Sequence, residues 1–264
     1  MTGVLSVQHA TLRFDDRVIW QGLDFEIQPG EFIALIGANG SGKSMLLKSI
    51  LRQQELTSGS IEFLGKPSTS GSTKIGYIPQ HRSTDSHLPL RVFDSVRFGL
   101  DGHRFGLPVS SKNTRALVLA ALEQVDALDL ADKPIVELSG GEMQRVRVAQ
   151  AIISKPKLIL ADEPLSALDL NHQQIVSGLI ADQAKKQGSA VLFVTHDLNP
   201  IADYVDRVLY LAQGRHEIGT TDEVMQSEVL SNLYGTEIDV VRNQGRIVVL
   251  GVHDHNHHDD EQWL

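Results

Sequence analysis

The chain has no cysteine among its 264 residues, which excludes disulfides and thiolate metal sites. It has no apolar run near the ~20 residues that a membrane-spanning helix requires. The opening MTGVLSVQHA lacks the basic and apolar regions of a signal peptide. Positive charge is scarce as well. Lys and Arg number 24 against 33 Asp and Glu, for a formal net charge of −9, and no long basic run offsets this. A duplex-DNA binder displays the opposite balance, so no nucleic-acid partner is expected. Internal repeats are absent, as is low-complexity sequence before the last dozen residues. What remains is 41% hydrophobic and 22% charged, the composition of a soluble globular protein with a sizeable core. Together these features favour the cytoplasm.

Short apolar–polar runs fill residues 4–36, where VLSVQHATLRF, LDFEI and EFIALIG read as strands around the turn at Pro29 and Gly30. SMLLKSILRQQ then has helical spacing. SIEFLG and KIGYIPQ read as strands separated by the loose loop KPSTSGST. From about 88 to 155 the pattern is helical, in RVFDSVRFGL, SKNTRALVLAALEQVDAL and GGEMQRVRVAQAIIS, which predicts a helical subdomain inserted into an α/β core. The core resumes with the strand KLILADEP, the helix LNHQQIVSGLIADQAKKQG, the strand AVLFVTH, a short helix and DRVLYLAQGR. TDEVMQSEVLSNLY reads as one further helix, and EIDVVRNQGRIVVLG as two strands about an NQG turn. The predicted organisation is a main domain over 1–235, a β-hairpin appendage over 236–252 and a flexible His/Asp-rich tail over 253–264.

The sharpest local signal is GANGSGKS: Gly37, Ala38, Asn39, Gly40, Ser41, Gly42, Lys43 and Ser44 fit G-x-x-x-x-G-K-[ST] between a predicted strand and helix. Glycines allow backbone N–H groups to converge on phosphate oxygens. Lys43 supplies a point charge for the β- and γ-phosphates, and Ser44 a hydroxyl for Mg²⁺. LILADEP adds Asp162 and Glu163 at the end of a buried strand, where adjacent carboxylates can take separate tasks. Asp162 suits Mg²⁺, held through water, and Glu163 suits polarising the water that attacks the γ-phosphate. His196 ends the strand in VLFVTHD and is expected at the γ-phosphate. Gln80 closes KIGYIPQ. About a hundred residues beyond the phosphate loop, LSGGEMQRVRVAQA opens a second glycine-rich helix start, again suited to an anion.

Taken in order, these pieces resemble the ATP-binding cassette family nearly to Tyr234. GANGSGKS looks like Walker A, Gln80 the Q-loop glutamine, LSGGE the signature, LILADE Walker B, SALD the D-loop and His196 the switch histidine. The resemblance implies a P-loop α/β core with an antiparallel β subdomain beside the inserted helices, and an ATPase using ATP and Mg²⁺, the metal contacted by Ser44, Gln80 and Asp162. It implies a head-to-tail dimer in which Ser139, Gly140 and Gly141 grip the ATP of a second copy and Asp169 contacts that copy's Walker A. Phe14 takes the adenine-stacking position, where relatives often have Tyr. The signature reads GEM where many relatives have GQ, with little expected effect.

Cargo lies outside the generic engine. YIPQHRSTDSHLPLRVFDSVRFG and LYGTEIDVVRNQGRIVVLG look like the corresponding stretches of zinc/manganese-type uptake cassettes. That likeness implies two integral membrane permease subunits, contacted near Gln80 and the RVFDSVRFG helix. It further implies an extracytoplasmic metal-binding protein and a peripheral position on the cytoplasmic face of the membrane. In the tail, His253, His255, His257 and His258 stand among Asp254, Asp259 and Asp260. This is either a flexible zinc-binding segment or a solvated one without a metal role. Zinc is the favoured cargo and manganese the next. The alternatives are an importer of another substrate, such as an iron chelate, and a soluble scaffold or DNA-repair ATPase of the same family.

Overall fold

The computed structural model describes residues 3–80, 90–102, 112–243 and 245–251. The predicted metal-binding histidines 253, 255, 257 and 258 lie outside them. Along the chain, strands β1 (Leu5–Phe14), β2 (Arg17–Ile27) and β3 (Phe32–Gly37) precede helix α1 (Lys43–Ile50). Then come β4 (Ser58–Phe63), β5 (Lys66–Pro67) and β6 (Ile75–Ile78), followed by helices α2 (Val92–Asp101), α3 (Lys112–Gln124) and α4 (Gly140–Ile152). The second half alternates β7 (Leu158–Asp162), α5 (Leu170–Gln187), β8 (Ala190–Val194), a 3₁₀ turn (Asn199–Tyr204), β9 (Arg207–Ala212) and β10 (Arg215–Gly219). Helices α6 (Thr221–Val224) and α7 (Ser227–Tyr234) lead to a terminal hairpin of β11 (Ile238–Asn243) and β12 (Arg246–Gly251).

Six strands form the central sheet in the order β10-β9-β3-β8-β7-β6, parallel except for the β9–β10 pair. Its inner strands are covered on both faces and so read as continuous apolar runs. Every residue of β3, β7 and β8 is buried. Side-chain alternation splits β3 between two cores. Phe32, Ala34 and Ile36 face the core shared with α2, α3, α4 and α5, whereas Ile33 and Leu35 face the one shared with α1 and a four-stranded antiparallel sheet, β2-β1-β4-β5. The α/β plan with inserted helices and an antiparallel β layer matches the expectation.

Local departures have identifiable causes. The predicted strand LDFEI begins earlier, at Arg17, because the antiparallel ladder with β1 runs back to the Phe14–Arg17 pair. The predicted strand DRVLYLAQGR stops at Ala212, and its last residue, Arg215, opens a separate edge strand to Gly219 after a tight turn in which Gln213 and Gly214 both take positive φ. The single helix expected over TDEVMQSEVLSNLY is two. Met225 leaves helical geometry at φ −84°, ψ 64°, and Gln226 starts α7 from an extended conformation. Thr220 and Glu223 form a reciprocal capping box that fixes the start of α6.

Candidate nucleotide site

The phosphate loop joins β3 to α1, and its glycines are required by space as much as by conformation. Gly37 has φ +153°, and a Cβ there would stand 2.1 Å from the Leu211 carbonyl oxygen on the neighbouring strand. Gly42, the residue capping α1, has φ +96°, and its Cβ would stand 2.4 Å from Ile19 Cγ2 and 2.8 Å from Trp20 Cδ1. The loop is thus wedged between β9 and the buried Trp20. Gly37→Ala should cost about 2–4 kcal/mol, from overpacking against backbone plus the disfavoured φ. In a chain of this size that lowers the melting temperature by roughly 5–10 °C. An unchanged thermal melt would refute this account of the loop.

Lys43 is buried, and its Nζ donates to the carbonyls of Gly37 (2.6 Å) and Ala38 (3.0 Å). An ammonium has three donors, so one is left for a ligand. Burial pulls the Lys43 pKa below the ordinary lysine value, against the opposing influence of the Glu163 and Asp162 carboxylates. The Ser44 hydroxyl donates to Asp162 Oδ1 at 3.3 Å, which brings the two oxygens together from 118 residues apart in sequence. The Gln80 amide donates to Glu163 Oε2 at 3.0 Å.

Four chain-distant motifs meet because their strands are neighbours in the sheet. Gly37, Gln80, Asp162 and Thr195–His196 stand at or just past the carboxyl ends of β3, β6, β7 and β8, the end at which open α/β sheets bind ligands. A cavity of about 440 Å³ opens there, lined by Asn39, Gly40, Gly42, Lys43 and Ser44 with Phe14, Gln80 and Glu163. Phe14 is 42% exposed, so its ring is available for stacking. Arg17 and Ile19 also line the cavity, although the sequence reading did not select them. Their signal was the brief DDR turn after Phe14, which folds the start of β2 back beside β1. Glu163 additionally lines a smaller cavity of about 130 Å³ with Thr195, His196 and Asp197.

The direction of Glu163 differs in origin from the expected strand alternation. Strand β7 ends at Asp162, and Glu163 has φ +48°, left-handed geometry that a non-glycine residue rarely takes. Its N–H donates to Val194 O at 3.1 Å, and its carbonyl accepts from the Ser166 hydroxyl at 3.0 Å. A held backbone outlier at a cavity wall is where folds store strain for function.

Ser139, Gly140, Gly141 and Asp169 do not line the nucleotide cavity of their own chain. Ser139 caps α4 through a capping box: its Oγ accepts from the Glu142 N–H (3.3 Å), while Glu142 Oε2 accepts from the Ser139 N–H (2.8 Å). The Ser139 hydroxyl proton stays available to an outside acceptor. Glu142 was readable from the S-x-x-E spacing but was not singled out. A glutamine there could serve the same box, which explains why GEM can stand for GQ. The backbone and side-chain hydrogen bonds from Ser139 hold the Glu142 carboxyl below the usual range. Asp169 caps α5, accepting from the His172 N–H at 2.9 Å and lying 2.8 Å from His172 Nδ1. The backbone bond from His172, followed by its side chain, lowers the Asp169 pKa.

Fold and cavity define a P-loop nucleoside triphosphatase. The sequence model of the ABC transporter family matches residues 20–166. The manganese transport system ATP-binding protein MntB of Bacillus subtilis is 33% identical over 241 residues, covering 91% of this chain and 96% of that protein. The zinc import ATP-binding protein ZnuC of Yersinia enterocolitica is 33% identical over 260 residues, covering 98% and 94%. Among solved structures, an inward-facing metal-chelate type ABC transporter matches with TM-score 0.78 at 30% identity, covering 95% of this chain and 98% of that one. A dimeric ATP-binding cassette bound to ADP and Pi matches with TM-score 0.71 at 25% identity, covering 82% and 98%. The chain belongs to the ABC transporter family and is an ATP-binding ATPase subunit. No helix among the described residues is long and apolar enough to cross a membrane.

Proposed function

We propose that this chain is the ATP-hydrolysing motor of a divalent metal-ion importer, with zinc the favoured cargo and manganese the next. It works as a head-to-tail pair on the cytoplasmic face of the membrane, beneath two permease subunits supplied by an extracytoplasmic metal-binding protein. The single observation that carries the paired arrangement is that the cavity holding Lys43 and Glu163 has no wall from Ser139, Gly140 or Gly141. A second copy supplies them, with the amides and dipole of the α4 N-terminus aimed at the γ-phosphate. ATP then joins the two copies, and its hydrolysis releases them.

In this reading Phe14 stacks on adenine and the loop amides of residues 37–44 cradle the phosphates, with Lys43 at the β- and γ-phosphates. Glu163 takes a proton from the attacking water as that water bonds to the γ-phosphorus, and the bond to ADP breaks. His196 steadies the γ-phosphate, and Asp169 meets the other copy's phosphate loop. The residues present suit Mg²⁺: the Ser44 hydroxyl and Asp162 carboxylate are adjacent hard oxygen donors. Gln80 keeps its carbonyl oxygen for the same ion while its amide holds Glu163. When bound, the ion neutralises phosphate charge.

Metal cargo is supported by the relatives named for manganese and zinc transport. A metal-chelate cargo is the second reading, favoured by the TM-score of 0.78 to a transporter of that type. Exposed Phe98 on α2, a helix that also buries Val92 and Val96 in the core, suits contact with a permease. Cells lacking this chain should accumulate less zinc, with manganese and iron less affected. A deficit confined to iron would transfer the assignment to the chelate reading, and no deficit in any metal would end the metal-import reading.

A further inference from the structure

The loop carrying His196 is tied to the far C-terminus of the described chain. Thr195, buried, donates from Oγ1 to the Asp197 carbonyl at 2.7 Å and accepts the Asp197 N–H at 3.1 Å. Asp197 Oδ1 accepts both the backbone N–H of Asn199 (2.9 Å) and its side-chain amide (2.7 Å). The same Asn199 amide continues outward. Its Nδ2 donates to Ile247 O at 3.0 Å, and its Oδ1 accepts the Ile247 N–H at 2.9 Å. A side-chain amide thus takes the place of a neighbouring strand on the edge of β12, across 48 residues of sequence. The hairpin is anchored on its other side to α7. Ser227 Oγ accepts from the Val240 N–H and Ser231 Oγ from the Ile238 N–H, each at 2.9 Å. An isolated two-stranded hairpin is marginal in water, so its place depends on these bonds together with the packing of buried Ile238 and half-buried Val240 and Ile247 against the main core.

We propose that Asn199 is a positioning residue for ATP turnover, the strap by which the C-terminal hairpin holds the His196 loop in place. It acts through His196 and touches no nucleotide. The inference rests on the proposed role of His196 at the γ-phosphate. Its physical content is that a loop fixed at Thr195 and Asn199 leaves little freedom to the exposed His196 between them, and that the hold on Asn199 is shared between Asp197 and the hairpin. A displaced hairpin would therefore slow turnover from outside the nucleotide cavity.

The test compares ATP turnover by the full-length chain in three single variants and one double variant. Asn199→Ala should lower kcat by about three- to tenfold with KM for ATP within about twofold. Ile247→Pro removes one of the two hairpin bonds, the N–H donated to Asn199 Oδ1, and leaves the carbonyl of residue 247 able to accept from Nδ2. Its N–H points to Asn199 rather than into the β11–β12 ladder, so the strand keeps its pairing. It should reproduce part of the kcat loss, and the double variant should be no slower than Asn199→Ala alone. A kcat unchanged in Asn199→Ala and Ile247→Pro, or losses that multiply in the double variant, would overturn the strap. A raised KM with kcat intact would do the same. His196→Ala separates the two levels of the argument. Full turnover there overturns the role of His196 and the strap together. Lost turnover there with normal Asn199→Ala overturns the strap alone.

Discussion

Replacing Glu163 by Gln is expected to leave ATP binding intact and to reduce turnover by about 10²–10⁴-fold, the usual contribution of a positioned general base. The substitution preserves shape and keeps an oxygen that can accept the 3.0 Å bond from Gln80, but removes the group that can take a proton from water. The left-handed backbone at 163 is as available to Gln as to Glu, so the fold and the cavity wall persist. Since hydrolysis releases the paired state, the variant should accumulate as an ATP-bound dimer. Phosphate release, binding of a fluorescent ATP analogue and light scattering measure the three consequences. Normal phosphate release would remove Glu163 from the role of base.

The second large effect comes from two variants that are each inactive and recover activity when mixed. Lys43→Ala deletes the buried ammonium and its charge-assisted bond to phosphate, worth about 1.5–3 kcal/mol, or roughly 10–150-fold in affinity. Gly141→Asp places a carboxylate at the start of α4, where the helix tolerates an acid but a γ-phosphate does not. Its Cβ would lie 3.1 Å from the Ala167 carbonyl oxygen, a tight contact that requires that backbone to give by a few tenths of an ångström. If each nucleotide is enclosed by two chains, a mixed pair has one site with both faults and one with neither. Random pairing then restores roughly a quarter of wild-type ATPase activity. A mixture as inactive as its components would place the whole site within one chain.

The phosphate loop was legible in sequence because its chemistry is local. Eight consecutive residues between a strand and a helix already define a cradle, and the glycines at 37 and 42 stand where side chains would strike β9 and Trp20. The terminal hairpin was legible too, since an NQG turn between two apolar runs needs no distant partner. Glu163 illustrates the limit. Strand alternation located the adjacent carboxylates, but the left-handed φ that aims the second one depends on the Val194 carbonyl of another strand. The break between α6 and α7 escaped for a related reason, because apolar spacing runs through Met225 and Gln226 and only backbone geometry interrupts it.

The sequence by itself determined the chemical inventory: the ammonium, the carboxylates, the glutamine, the histidine and two glycine-rich helix starts, each set by short contiguous stretches. The tertiary structure alone decided their assembly. Strand order β3-β8-β7-β6 brings Gly37, His196, Asp162 and Gln80 to one end of the sheet, while the α4 start and Asp169 stay outside the cavity. Asn199 reaching Ile247 belongs to the same category. The physical reason is that strand neighbourhood is set by how the whole chain buries its apolar faces, a sum over distant pairings that no local window contains.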